Sequence, residues 1–418
     1  MKKSSVWLTV ACAALLLSCN PTVRQEQSDS IPVAAAMAKP VELKASEYFT
    51  KVRYVPLETT DECVLGNGVK IAILDDKIVV TTAQKQCMLF DKQTGRYLTT
   101  VGHHGEDPEG YRASNGWVNQ LTKTILLNSW HNAWCTYNAD GQFTGKFVLP
   151  EGVSGGGSYV PLDSKTIVAH NMDFMADGIE SVQVFREDSL LHSIVLHEQD
   201  NKFNLSNVAS ISVMKADNKR EVYGPGAGVI QIEFKDSPGN AHAYITGLQR
   251  MWRVDDEIFL KSEHNDTIFR FNNYALEPAY QLDLGEYHWP YEERFNTSYD
   301  HALMVTQILD SRELMIIRLV HRIYTNDKWK AYTAMYNKRT GELRIGETEK
   351  GIIDDLTGCM PLRPEIVSPA GEYAAVVQAF DLVNWLEEHP EEKNNLPKEM
   401  AYLFEVEEED NPVIVFFE

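Results

Sequence analysis

An aromatic residue that closes a β-like run and leads straight into a short polar turn recurs along this chain. The units are Phe90-Asp91-Lys92-Gln93-Thr94-Gly95, Tyr137-Asn138-Ala139-Asp140-Gly141, Phe185-Arg186-Glu187-Asp188, Phe234-Lys235-Asp236-Ser237-Pro238-Gly239 and Tyr336-Asn337-Lys338-Arg339-Thr340-Gly341. The first four aromatics follow one another at roughly 48 residues, a period in the range of propeller blades. Between the units lie short runs of alternating or β-branched residues punctuated by Gly, Asp and Asn, as in 69–82, 124–128, 229–234 and 329–336. Many short strands without intervening helices indicate an all-β domain. A sandwich does not need a blade-length repeat, whereas a propeller does, because each small sheet buries its faces only against its neighbours.

A shifted turn at Phe271-Asn272-Asn273 brings the units to six. The expected fold is therefore an all-β, six-bladed β-propeller, favoured over seven or eight blades, with longer inter-blade loops in the second half. The strand at 52–57 is expected to close the ring against one at 413–417. Leu382 to Leu386, Leu396 and Met400 to Phe404, punctuated by Pro390 and Pro397, predict a short C-terminal helical decoration of the last blade.

The amino-terminal segment reads differently. Lys2 and Lys3 precede an apolar stretch at 6–17 and then Leu16-Leu17-Ser18-Cys19, the pattern of a bacterial lipoprotein signal. A membrane-spanning helix needs roughly 20 apolar residues, so the stretch predicts a signal peptide rather than a permanent span. This divides the chain into a signal at 1–18, a lipidated Cys19 with a flexible tether through residue 40, and a propeller domain at 41–418. Asn20 stands where an Asp would favour inner-membrane retention, so the expected location is the cell envelope at the outer membrane, reached through a lipid anchor only.

A formal net charge of −21 repels phosphate backbones and makes nucleic acid a poor partner. Cys63, Cys87, Cys135 and Cys359 remain in an oxidising compartment, where disulfides and free buried thiols both stay open. No phosphate cradle, nucleophile elbow or zinc-protease helix is present, and no cofactor is assigned.

Several motifs resemble those of the six-bladed β-propeller lipoproteins of gut anaerobes, a conserved domain of unknown function. They are Tyr54-Val55-Pro56-Leu57-Glu58-Thr59-Thr60, Leu89-Phe90-Asp91-Lys92 with Gly95, Asp266-Thr267-Ile268-Phe269-Arg270, Leu276-Glu277-Pro278-Ala279-Tyr280, Leu282-Asp283-Leu284-Gly285, Gly351-Ile352-Ile353-Asp354-Asp355-Leu356 and Asp410-Asn411-Pro412-Val413. The resemblance runs from about residue 41 to the end. It implies the fold, the compartment and an association with outer-membrane glycan-uptake systems, and it supplies no catalytic residue. One loop departs: Gly105-Glu106-Asp107-Pro108-Glu109-Gly110-Tyr111 stands where the family reads Gly-x-Gly-Pro-Gly-Glu-Tyr, which predicts an altered backbone there.

Candidate ligand-binding residues come from two clusters. His103, His104, Asp107, Glu109 and, farther on, His131 mix imidazole and carboxylate, the donors a divalent metal takes. Adjacent histidines point to opposite sides of an extended strand, so a polar turn is the stronger reading and no metal is assigned. His170, Asp173 and Asp177 follow a strand and could present acids at a loop face; a glycoside hydrolase or polysaccharide lyase would require two acidic groups, or a His with a Tyr, converging on one sugar. Trp117, Trp130, Trp134, Tyr287, Trp289, Tyr291 and Tyr299 are flat rings in or near loops, suited either to glycan stacking or to blade packing. Arg318 and Arg322 share one face of a strand by alternation and could line a central channel. The leading expectation is a non-enzymatic envelope lipoprotein that binds a ligand or a protein partner. A carbohydrate-active enzyme and a scaffold beside an uptake channel are the alternatives.

Overall fold

The computed structural model describes residues 29–153, 157–172, 180–197, 205–214, 228–246, 249–324 and 329–418. Six antiparallel sheets follow one another around a ring. The first blade is Lys70–Leu74, Lys77–Thr81, Cys87–Asp91 and Tyr97–Thr100, and the second is Ala113–Asn119, Thr124–Asn128, Ala133–Tyr137 and Phe143–Val148. Ser158–Pro161, Thr166–Met172, Glu180–Arg186 and Ser189–His197 make the third. The fourth is Met251–Val254, Glu257–Leu260, Thr267–Asn272 and Ala275–Leu282, and the fifth Leu303–Asp310, Leu314–His321, Lys330–Asn337 and Glu342–Glu347. In the sixth, Ile366–Val367, Tyr373–Val377 and Val413–Phe417 are completed by Val52–Pro56, so strands from opposite ends of the sequence close the ring as expected. First strands of successive blades approach one another, which places them around the axis.

Apolar cores between adjacent sheets hold the ring together. Six inter-blade clusters run in sequence from the sixth and first blades round to the fifth and sixth. The recurring aromatic has a defined place in them. Phe90, Tyr137, Phe185, Phe271 and Tyr336 sit next to or at the end of the third strand of blades one to five, each buried in the core shared with the preceding blade. Phe417 does the same for the sixth blade. Burying such a ring contributes on the order of 2–3 kcal/mol, so the repeat is the plug that seats each blade on the last.

Phe234 is not one of these plugs. It belongs to a separate three-stranded sheet, Val208–Met214, Gly228–Phe234 and Ala241–Thr246, inserted between the third and fourth blades. Its near-even spacing from Phe185 is a coincidence of insert length. The third and fourth blades pack directly against each other beside it, with Val168 and Val184 meeting Met251 and Leu260. Six aromatic-turn units therefore match six blades although one unit lies in the insert, because the sixth blade's plug has no hairpin after it.

The segment expected to be tether through residue 40 is structured from Asp29 onward. Asp29–Ile31 runs parallel to the outer strand of the fourth blade, and the helix Val33–Met37 buries Val33 and Met37 against the fourth and fifth blades. The Val41 amide donates to the Ile345 carbonyl at 2.7 Å, and Leu43–Lys44 pairs with Ile352–Ile353. The chain thus straps three blades before it becomes the outer strand of the last. Ile31 and Val33 are fully buried, and that burial outweighs the lack of local strand or helix period. The signal at 1–18 and Cys19 lie outside the described residues.

The expected helical decoration forms as Ala379–Glu388, Pro390–Asn395 and a 3-10 stretch at Lys398–Glu405, all within the excursion between the second and third strands of the sixth blade. Cys63, Cys87, Cys135 and Cys359 are buried free thiols. Among the described residues no helix is long and apolar enough to cross a membrane.

Candidate functional site

Antiparallel connectivity gives the ring two unlike ends. At one end lie the tight turns within blades, including the aromatic-turn units of the blades themselves. The other end carries every connection between blades and every link from a blade's second strand to its third. His103, His104, Asp107, Glu109, His131 and His170 all map to this second end, and the insert and the helical excursion belong to it as well. Asp173 and Asp177 lie outside the described residues.

On the first and second blades the loop 103–111 is drawn closed by Tyr111 N donating to His103 O (2.9 Å) and Gly105 N donating to Tyr111 O (3.1 Å). Three hydrogen bonds anchor it: Tyr111 Oη of the loop donates to Lys85 O, and from the second blade Tyr137 Oη donates to Glu109 O and Cys135 Sγ to Gly110 O. Gly110 is required here by close approach rather than by positive φ, since a β-carbon would stand 2.7 Å from the Gly105 carbonyl oxygen. Neither Gly105 nor Gly110 has a positive φ, so the transposed glycine leaves a backbone of ordinary sign.

Within this loop His103 Nε2 meets Asp107 Oδ2 at 2.5 Å, and that hydrogen bond holds the Asp107 carboxyl below its usual range. His104 turns away to Lys85 Nζ at 2.9 Å, as alternation requires. Glu109 and His131 are exposed and do not join the pair. Among the described residues, no three His, Cys, Asp or Glu side chains converge as metal ligands would.

The aromatic candidates separate sharply. Trp134 and Trp289 are buried, and Trp117 stacks on Tyr159 with ring centres 5.8 Å apart. Tyr287, Tyr291 and Tyr299 are half-buried against His321, Arg294 and His301. Trp130 alone of the seven is exposed, with the Arg112 guanidinium 5.4 Å from its ring centre. Trp117, Trp134 and Tyr287 pack into inter-blade cores, and Trp289 and Tyr299 into a smaller apolar cluster on the fifth blade.

His170 is buried, not displayed. Its Nε2 lies 2.7 Å from Glu180 Oε1, and Ser262 Oγ donates to both Glu180 oxygens at 2.7 Å, joining the third blade to the fourth. Burial alone would raise the Glu180 carboxyl; the His170 hydrogen bond and charge, with Arg250 and Ser262, outweigh it and bring it down to about 2. Arg318 is buried too: it donates to Gln307 Oε1 at 2.7 Å and to the Pro364 carbonyl, tying the fifth blade to the sixth. Arg322 follows the strand end with φ 62° and is exposed, so it does not share a strand face with Arg318.

Sequence reasoning missed the polar run Lys261-Ser262-Glu263-His264-Asn265-Asp266, which links the second and third strands of the fourth blade. All of it except Asn265, with Arg250, Leu284, Trp289 and the first strand of the fifth blade, lines a pocket that encloses about 560 Å³ of empty space, open solvent included. Arg250 Nη2 pairs with Glu263 Oε1, His288 Nδ1 pairs with Asp266 Oδ2, and Lys261 Nζ donates to Ser262 O at 2.7 Å. Burial pushes the Lys261 ammonium down to about 8. Six consecutive polar residues after an apolar strand were the available signal.

A crystal structure from Bacteroides fragilis named "Putative exported protein" superposes with a TM-score of 0.61 at 14% identity, covering 94% of this chain and 98% of the other, which is a likeness of fold. A structure of U3-55K covers 90% of this chain and 100% of its own at 11% identity, with a TM-score of 0.39. Among curated proteins none matches the sequence. The family model described as domain of unknown function DUF4934 matches residues 28–418, and the chain, a six-bladed β-propeller, belongs to that family.

Proposed function

We propose that this chain is an exported envelope lipoprotein, lipidated at Cys19 and held at the outer membrane, whose propeller binds a soluble ligand without converting it. The observation that carries the reading is the asymmetry of the ring. One end has tight turns; the other gathers the insert, the helical excursion at 379–405 and the pocket between the fourth and fifth blades. The insert is seated there by Phe234 against Phe295, with ring centres 5.1 Å apart, and by Tyr324 Oη donating to Ala241 O at 2.8 Å. Loops on a rigid scaffold are where binding residues concentrate.

Two acids at this end, Glu180 and Asp107, favour binding over catalysis. Glu180, with a pKa of about 2 and both oxygens engaged, has no proton to give at neutral pH. Asp107 is exposed and committed to His103. An outer-membrane glycan-uptake complex is the proposed partner. A glycan-array screen paired with product analysis tests the reading: saturable binding with unchanged glycan is expected, and cleavage would establish the enzyme alternative. For the anchor, labelled palmitate is expected to enter the wild type and not Cys19→Ala, and labelling of both would refute lipidation at Cys19.

A further inference from the structure

The pocket between the fourth and fifth blades has a lining of mixed character. Leu284, Trp289, Leu303 and Met304 give it apolar surface, while Arg250, Lys261, Ser262, Glu263 and Asp266 give it a polar part. Much of the polar part is internally matched through the pairs Arg250–Glu263 and His288–Asp266 and the Ser262–Glu180 hydrogen bonds. Glu263 is the exception: it is 9% exposed, and its Oε2 accepts no hydrogen bond from any described residue. A buried carboxyl oxygen left without a donor is costly, and in a pocket it points to a donor on a ligand. Lys261 Nζ stands in the same polar part and uses one of its three N–H bonds on Ser262 O.

Charge narrows the class. Arg250 and Lys261 face Glu263 and Asp266, with Glu180 just behind Ser262, so neither sign is in strong excess and a simple ion is not selected. Hydroxyl groups both donate and accept, and a ring bearing them also offers a C–H face to Leu284 and Met304. We infer that this pocket binds a small neutral polyhydroxylated molecule, held by Glu263 Oε2 as acceptor and Lys261 Nζ as donor. The inference rests on the ligand-binding reading above.

Titration calorimetry on the full chain in detergent tests it, with glucose, galactose, mannose and N-acetylglucosamine as probes and ethanolamine and acetate as charged controls. At least one sugar is expected to bind saturably, the ions are not, and Glu263→Gln and Lys261→Met are each expected to weaken binding about tenfold or more. Lys261→Met removes a buried cation and keeps the test open if Glu263→Gln unfolds by stranding Arg250. Binding of no sugar, tighter binding of ethanolamine or acetate, or wild-type affinity in folded Lys261→Met overturns the inference. Array binding that survives Lys261→Met but falls with Trp130→Ala would place the ligand elsewhere on the same end, defeating the pocket and sparing the broader reading. Absence of all array and sugar binding would defeat both.

Discussion

Gly95, in the turn of the first blade, lies so close to Pro56 of the closing strand that a β-carbon would stand 1.9 Å from the Pro56 carbonyl oxygen. Its φ of +73° disfavours any L side chain, and its own carbonyl accepts from Glu58 N at 2.9 Å. The turn is held by Asp91 Oδ1, which accepts from the amides of Gln93 and Thr94. Gly95→Ala is therefore expected to cost about 3 kcal/mol through positive-φ strain and backbone clash. Urea unfolding measures it, and a loss below about 0.5 kcal/mol would show that this contact does not constrain ring closure.

The strap makes a second claim that can be checked at one residue. Ile31 is fully buried in the core between the fourth and fifth blades. Truncation to Ala is expected to cost about 2–4 kcal/mol. Hydrogen exchange should quicken at Tyr280 to Leu282, where Asp29–Ile31 pairs. Unchanged stability and exchange would mean that the segment behaves as the loose tether its composition suggests.

Glu180 predicts a pH signature. Its carboxyl is depressed from 4.5 to about 2 in the folded chain, so the unfolded state binds the proton more readily across that interval. The stabilisation is present above pH 4.5 and is lost as pH falls through about 2, on the order of 3 kcal/mol in all. Glu180→Gln should flatten the fall of unfolding free energy between pH 4.5 and 2 relative to the wild type. Parallel curves for the two proteins would contradict this assignment.

The four described cysteines offer a direct count. Each is buried, and burial pushes the Cys87 thiol up to about 12. A thiol reagent at pH 8 is expected to label none of the four in the folded chain and all four in guanidinium without reductant. Loss of label in the denatured state would reveal disulfides.

What could be read from the residues follows the range of the forces involved. Phe90, Tyr137, Phe185, Phe271 and Tyr336 announced blades because a third strand, its plug and its turn are contiguous in sequence. Phe234 carried the same local signal, since a hairpin in an inserted sheet needs the same turn chemistry. Phe417 gave none, because its neighbouring strand Val52–Pro56 comes from the far end of the sequence. Asp29–Ile31 is too short for alternation to register and is placed by pairing with residues near 280. The site was harder. The end of the ring bearing His103 and Asp107 follows from strand order, but the bond from Ser262 to Glu180 spans 82 positions and no spacing rule reaches that far. Trp289 looked like a surface ring and proved to be buried, because its neighbours Tyr324 and His264 come from other loops.

Binding of a soluble ligand, unchanged, at the end of the ring that carries the inter-blade loops is the central claim. It is tested most directly by a glycan-array screen of the full chain with analysis of the eluted glycans, run beside Trp130→Ala and Lys261→Met. Saturable binding, weakened by at least one of these substitutions and returning intact glycan, is the predicted result. Cleaved glycan, or binding that neither substitution alters, would contradict it.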